Sequence, residues 1–147
     1  VRRWGGVLEH PEASHAWGTF GLAAPKKSGG WERDLSGGWS CCVEQGHYGH
    51  PARKATWLYY VGKAEPPALV WGKSSATARL DYGYHSKEHR AAAKAAGIKR
   101  RSLERLSIRQ RTVTPDHFAE LLIGLARLSL RDADFVVSRR LGREEGE

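Results

Sequence analysis

The stretch Ala55–Gly62, ATWLYYVG, constrains the fold more than any other part of the chain. It is nearly pure strand former, and its side chains alternate. Trp57, Tyr59 and Val61 fall on one face, Leu58 and Tyr60 on the other. A strand so heavily loaded predicts a buried position in a sheet. The second anchor is TPDHFAELLIGLARLSL, residues 114–130, which reads as the clearest helix. Thr114 is its expected N-cap, Pro115 its first helical residue, and Asp116 complements the positive helix end. Phe118, Leu121, Leu122, Leu125 and Leu128 recur at helical spacing and predict a core-facing stripe.

Other elements are shorter. GGVLEH, residues 5–10, reads as a buried strand, parallel to its neighbours, carrying Glu9 and His10 at its carboxyl end and stopped by Pro11. Ser14 is expected to cap a short helix with Trp17 and Phe20 on one side. Residues 22–38, rich in Gly, Lys and Ser, read as a long functional loop. Residues 39–45 read as a strand, and KEHRAAAKAAG as a helix ended by Gly97. This order predicts an α/β fold, incomplete, with a mixed sheet and a C-terminal helix. Residues 1–130 read as the domain, 87–111 as a basic insert within it, and 131–147 as a tail. Residues 1–6 read as the end of a helix closed by glycine; with no Met in the chain, a fragment of a longer protein is the expectation.

The 147 residues suffice for one domain with its own core. No run of eighteen apolar residues is present, so no membrane span is expected. The two cysteines, Cys41 and Cys42, are adjacent, which argues against a disulfide framework and for a reducing cytoplasm. The net charge is +8, and residues 87–111 hold nine Lys/Arg against two acids. Such a block points to a polyanion, most simply nucleic acid, or else to a solvated helix face.

Several residues are candidates for chemistry. Glu9, at a strand end, is where open α/β sheets keep their sites; a partly desolvated carboxyl there could donate a proton to a ring nitrogen. The plain alternative is a solvated turn acid or an ion pair. Arg53 and Lys54, in the turn GHPARK, could hold a phosphate or a base oxygen, or be surface charges. Trp31, Trp39 and Trp71 could stack on bases or belong to the core. His47 and His50 lie near the cysteines and His15, but lack the paired spacing of a zinc site, so no metal is expected. Neither a glycine-rich nucleotide turn nor a P-loop occurs.

Three segments in order carry a resemblance. VLEHPEASHAW resembles the Glu-Asn-Pro segment of cytosine-type DNA methyltransferases, in the variant of phage and prophage proteins. EQGHYGHPARKATWLYYVG followed by EPPAL is similar to their later basic segment, and RTVTPDHFAELLIGLAR to their closing helix. The resemblance implies part of a Rossmann-like, S-adenosylmethionine-dependent methyltransferase in the cytoplasm of a bacterial host cell, acting on DNA. On that resemblance Glu9 contacts N3 and the exocyclic amine of the base, and Arg53 or Lys54 the base oxygen. Thr114 and Pro115 lie near the cofactor, while Arg100, Arg101, Arg105, Arg109 and Arg111 grip phosphates. His10 stands where the family has Asn. The family's cofactor turn and Pro-Cys nucleophile do not occur within 1–147, so these residues alone are expected to be inactive, most of the cofactor contacts being made by residues outside them. The alternatives are a nucleic-acid-binding module without chemistry, and a structural domain whose aromatics are core.

Overall fold

The computed structural model describes residues 1–78, 80, 87–97 and 106–141, and leaves aside the side chains of residues 89–90 and 131–141. Among the described residues there are four strands: β1 (Gly6–Pro11), β2 (Glu32–Arg33), β3 (Trp39–Glu44) and β4 (Ala55–Val61). Four helices accompany them: α1 (His15–Thr19), α2 (Lys87–Ala95), α3 (Ile108–Thr112) and α4 (Asp116–Leu141). A 3-10 turn, Gln45–Tyr48, joins β3 to the basic segment before β4.

The strands form one sheet in the order β1-β4-β3-β2. Its pairs are antiparallel, with Glu9 opposite Leu58 and Cys41 opposite Leu58 on the other side. Helix and strand are thus mixed, as the α/β expectation requires, but the described sheet is antiparallel where a mixed sheet was expected. Strand β1 is likewise neither parallel to its neighbour nor interior: it is an edge strand with Glu9 exposed. The reason lies in β4. Its two apolar faces and full set of backbone groups favour the inner position, so β4 returns between β1 and β3 and runs against both.

The two faces of β4 carry two separate cores. Leu58 and Tyr60 join Cys41 and Val43 beneath Phe118 and Leu125 of α4. Trp57 and Tyr59 join Cys42 beneath Trp17 of α1, whose ring meets Trp57 edge-on at 5.4 Å. Trp31, Trp39 and Trp71 also pack against the α4-side core, and Trp31 donates to the Pro67 carbonyl at 2.8 Å. These three tryptophans therefore serve packing.

The helix ends follow their local chemistry. Ser14 caps α1 by accepting the Ala16 amide, but Phe20 lies beyond the helix and is exposed rather than packed beside Trp17. Helix α4 starts one residue later than its sequence suggests, with the Pro115 carbonyl accepting from Phe118 and Ala119. It continues to Leu141, so residue 130 falls inside it. Ser107 and Gln110 close a capping box on α3. Residues 1–5, expected as a helix end, form a hydrogen-bonded turn rather than an assigned helix; the Gly5 amide donates to the Val1 carbonyl and Gly5 takes φ +79°.

The segment read as a loop contains β2, held by a turn at Asp34. Asp34 Oδ1 accepts the Ser36 and Gly38 amides at 2.8 and 2.9 Å, and Oδ2 accepts the Tyr59 hydroxyl at 2.8 Å. Gly38 is obligatory, because a Cβ would strike the Tyr59 ring. Burial opposes ionisation of Asp34, but the Tyr59 hydroxyl, the Gly38 and Ser36 amides and Arg2 together hold its carboxyl below the usual range.

Two outcomes test this framework. Leu58→Ala, in the double-sided strand, should cost about 2–5 kcal/mol in urea unfolding, whereas Leu35→Ala, fully exposed, should change stability by less than about 0.5 kcal/mol. Because Asp34 is depressed only in the folded state, its contribution is complete above the unfolded value of about 3.9 and is lost as pH falls through the folded one. Asp34→Asn should therefore lose less stability than the parent on acidification below about pH 4; equal pH dependence would remove Asp34 from the turn's energetics.

Candidate functional site

Both neighbours of β4 run against it, so β1 and β3 point the same way and end together. Glu12 follows β1, Glu44 closes β3, and Ala55 opens β4 between them. At this end lies a cleft of about 190 Å³ lined by Glu12, Lys27, Cys42, Glu44, Ala55 and Lys73, among others. Lys27 Nζ reaches Glu12 at 2.9 Å, and Glu44 Oε2 accepts the Ser74 amide at 2.6 Å. The cleft therefore offers carboxylates and ammonium groups side by side, suited to a polar ligand with both donors and acceptors. Burial, and next the Glu12 carboxylate, push the Cys42 thiol up. Burial also raises Cys41, with Cys42 beside it contributing. Neither thiol is poised as a nucleophile at neutral pH.

The basic turn after β3 is built on polar contacts. Gln45 is buried, its Nε2 donating to Thr56 Oγ1 at 2.9 Å. Its amide donates to the Lys54 carbonyl, and the His50 amide donates back to the Gln45 carbonyl. Gly49 turns the chain with φ +96°. Arg53 Nε donates to the Ser74 carbonyl at 3.1 Å, and Lys54 Nζ donates to the Val113 carbonyl at 3.4 Å. The guanidinium and ammonium stand at the start of β4, on the same end of the sheet as the cleft.

Glu9 is not with them. It faces solvent within β1, opposite Leu58; Lys54 is four residues from Leu58, about 13 Å along the strand. The burial expected of it is lacking there. Glu12, opposite the Ala55 end of β4, is the acid nearer the cations in register. Thr114 is exposed and Pro115 packs by Gly49, and neither lines the cleft. Arg109 is exposed on α3, whereas Arg111 is half-buried with Nη1 donating to the Leu80 carbonyl at 2.9 Å. Arg100, Arg101 and Arg105 lie outside the described residues. His47 Nε2 bonds the Gly72 carbonyl at 3.0 Å, and His50 Nδ1 is taken up by the backbone of Ala52. Among the described residues, no three His, Cys, Asp or Glu side chains are grouped to hold a metal.

Sequence reasoning thus missed Glu12, Lys27, Glu44 and Lys73. Glu12 and Glu44 each stand at a strand end in the sequence, but only the order β1-β4-β3 tells that those ends coincide.

No family model matches the chain, and no curated protein or solved structure is significantly similar to it. No described helix is long and apolar enough to cross a membrane.

The burial of both thiols gives a direct check. Folded protein at pH 7 should react with a thiol reagent at least about tenfold more slowly than the urea-unfolded chain, since the folded state holds less thiolate and less access. Fast labelling of Cys42 in the folded protein would mean that the cleft opens to its sulfur.

Proposed function

We propose that the chain contributes the target-base and DNA contacts of a phage-type, S-adenosylmethionine-dependent DNA methyltransferase-like protein. The observation that carries this reading is the shared strand end. Here β1 and β3 are parallel to one another with β4 reversed between them, and their common end holds the polar cleft, Arg53 and Lys54.

Among the described residues, the two expected near S-adenosylmethionine do not make a cradle for it. Thr114 is solvent-exposed, and Pro115 is packed by the Gly49 turn. The chain's own part in the reaction is therefore to bind and orient. Arg109 and the other exposed cations would hold phosphates, and Arg53 would reach a base oxygen with the guanidinium nitrogens not used on Ser74. Glu9 retains the role that the three-segment resemblance gives it only if the base approaches along the β1 edge. The same poor fit to the cofactor favours a second reading, a nucleic-acid-binding module without chemistry.

Binding to a fluorescent duplex measured against salt tests both readings. Affinity should fall steeply with salt, and Arg109→Ala should reduce the slope by about 0.9 for one lost phosphate contact. A flat salt dependence would sink both. Residues 1–147 should transfer no labelled methyl group from S-adenosylmethionine to DNA. Transfer by these residues alone would overturn the assignment of cofactor binding to another part of a longer protein. In a chain that does methylate, Glu9→Gln should collapse transfer and leave DNA binding; unchanged transfer would remove Glu9 from the site.

A further inference from the structure

Strand β1 has one paired side and one open side. The Glu12 amide donates to the Ala55 carbonyl at 3.1 Å, and the Gln45 amide to the Lys54 carbonyl at 2.9 Å. In an antiparallel ladder these bonds fix the alternation on both sides of β4. The amides of Gly6, Leu8 and His10 point toward β4, and those of Val7 and Glu9 point away. The Pro11 carbonyl, the next outward group, is already taken by the Ser14 amide at 3.2 Å. Val7 and Glu9 thus present two donors and two acceptors outward, and no described backbone group pairs with them. Edge strands left in this state are templates for another strand.

The surroundings say what that strand carries. Glu9 has no ion-pair partner among the described residues, so a cation opposite it is favoured. Leu8 sits on the other face, beside an open apolar cleft of about 350 Å³ lined by Val1, Arg2, Leu8, Phe20, Leu22 and Tyr59. A residue opposite Leu8 would place its side chain on that face, next to the exposed Phe20. A second copy of the chain fits poorly. In the one antiparallel register where both copies use Val7 and Glu9, each Glu9 faces a Val7 and meets no cation.

We propose that the β1 edge is a strand-addition site for a partner polypeptide, whose strand sets a Lys or Arg opposite Glu9 and an apolar residue opposite Leu8. The proposal goes beyond the methyltransferase reading and does not depend on DNA.

The palindromic peptide Thr-Thr-Val-Lys-Val-Thr-Thr is a suitable probe, since it can pair in either direction. At millimolar peptide, amide exchange at Val7 and Glu9 should slow at least about tenfold in the 147-residue protein, with the amides of Leu8 and His10 unchanged. Glu9→Lys should weaken this peptide about three- to tenfold and favour the same peptide with Glu at its centre. Val7→Pro should keep the β1–β4 ladder, which does not use that amide, and abolish the slowing. Unchanged exchange at Val7 and Glu9, or indifference to the charge swap, would overturn the proposal. So would a concentration-dependent dimer in which the two amides are protected without peptide. If Val7→Pro fails to fold, the charge swap still decides. Loss of duplex binding with peptide pairing intact, or the converse, separates this site from the proposed function.

Discussion

The position of β4 between β1 and β3 governs the rest of the structure. One strand supplies Leu58 and Tyr60 to the core under α4 and Trp57 and Tyr59 to the core under α1. Each of these side chains is nearly or fully buried, and burying a large apolar residue contributes about 1.5–3 kcal/mol. A strand with that much apolar surface on both faces cannot rest on an edge without exposing it. Once β4 takes the inner position, its backbone needs a ladder on each side, and β1 and β3 provide them in opposite orientation to β4. The parallel relation of β1 to β3, and so the coincidence of their ends, is a consequence of this single arrangement.

Much of this was legible because it depends on local pattern. The alternation of Trp57, Leu58, Tyr59, Tyr60 and Val61 was assigned to the correct faces, and the same strand alternation places Cys41 and Cys42 in different cores. The helix of Phe118, Leu122 and Leu125 follows from spacing alone. Ser14 also caps as its type suggests. The direction of β1 was not legible. GVLEHP is apolar enough to pass for a parallel interior strand, but pairing direction depends on which strand arrives beside it. That partner, β4, comes more than forty residues later. The same non-local fact decides the site. Glu9 looked like the residue at a strand end, yet pairing extends β1 through Pro11 and moves that end to Glu12. The short β2 was invisible, since Glu-Arg has no strand signal, and its place depends on the Asp34 turn and the Tyr59 hydroxyl.

The basic segment that precedes β4 shows how polar groups hold a turn in which little apolar area is available. Gln45, His50 and Thr56 are buried, and their backbone and side-chain bonds close the 3-10 turn onto the ladder. Gly46 lies so close to Ser74 that a Cβ there would overlap it. These contacts leave the turn few alternatives, so the positions of Arg53 and Lys54 are set by the fold rather than by a ligand. Their contacts with Ser74 and Val113 also tie the turn to the segments that lead into the rest of the chain. A cation already bonded to a carbonyl is a poor free charge, but Arg53 uses only Nε on Ser74, and its terminal nitrogens remain oriented by that bond.

The distribution of charge follows the same logic and limits what a polyanion can meet. Arg111 is drawn inward by the Leu80 carbonyl, while Arg109, two residues earlier on a helix of one turn and a half, faces solvent. Lys26 and Lys27 are balanced by Glu32 and Glu12, and Arg2 and Arg33 lie over Tyr59 and Trp39. These side chains are thereby less available to a phosphate than an unpaired cation would be. Among the described residues, attraction to a phosphate would come from positions such as Arg109, which has no ion pair to give up, because exchanging an existing ion pair for a phosphate gains little.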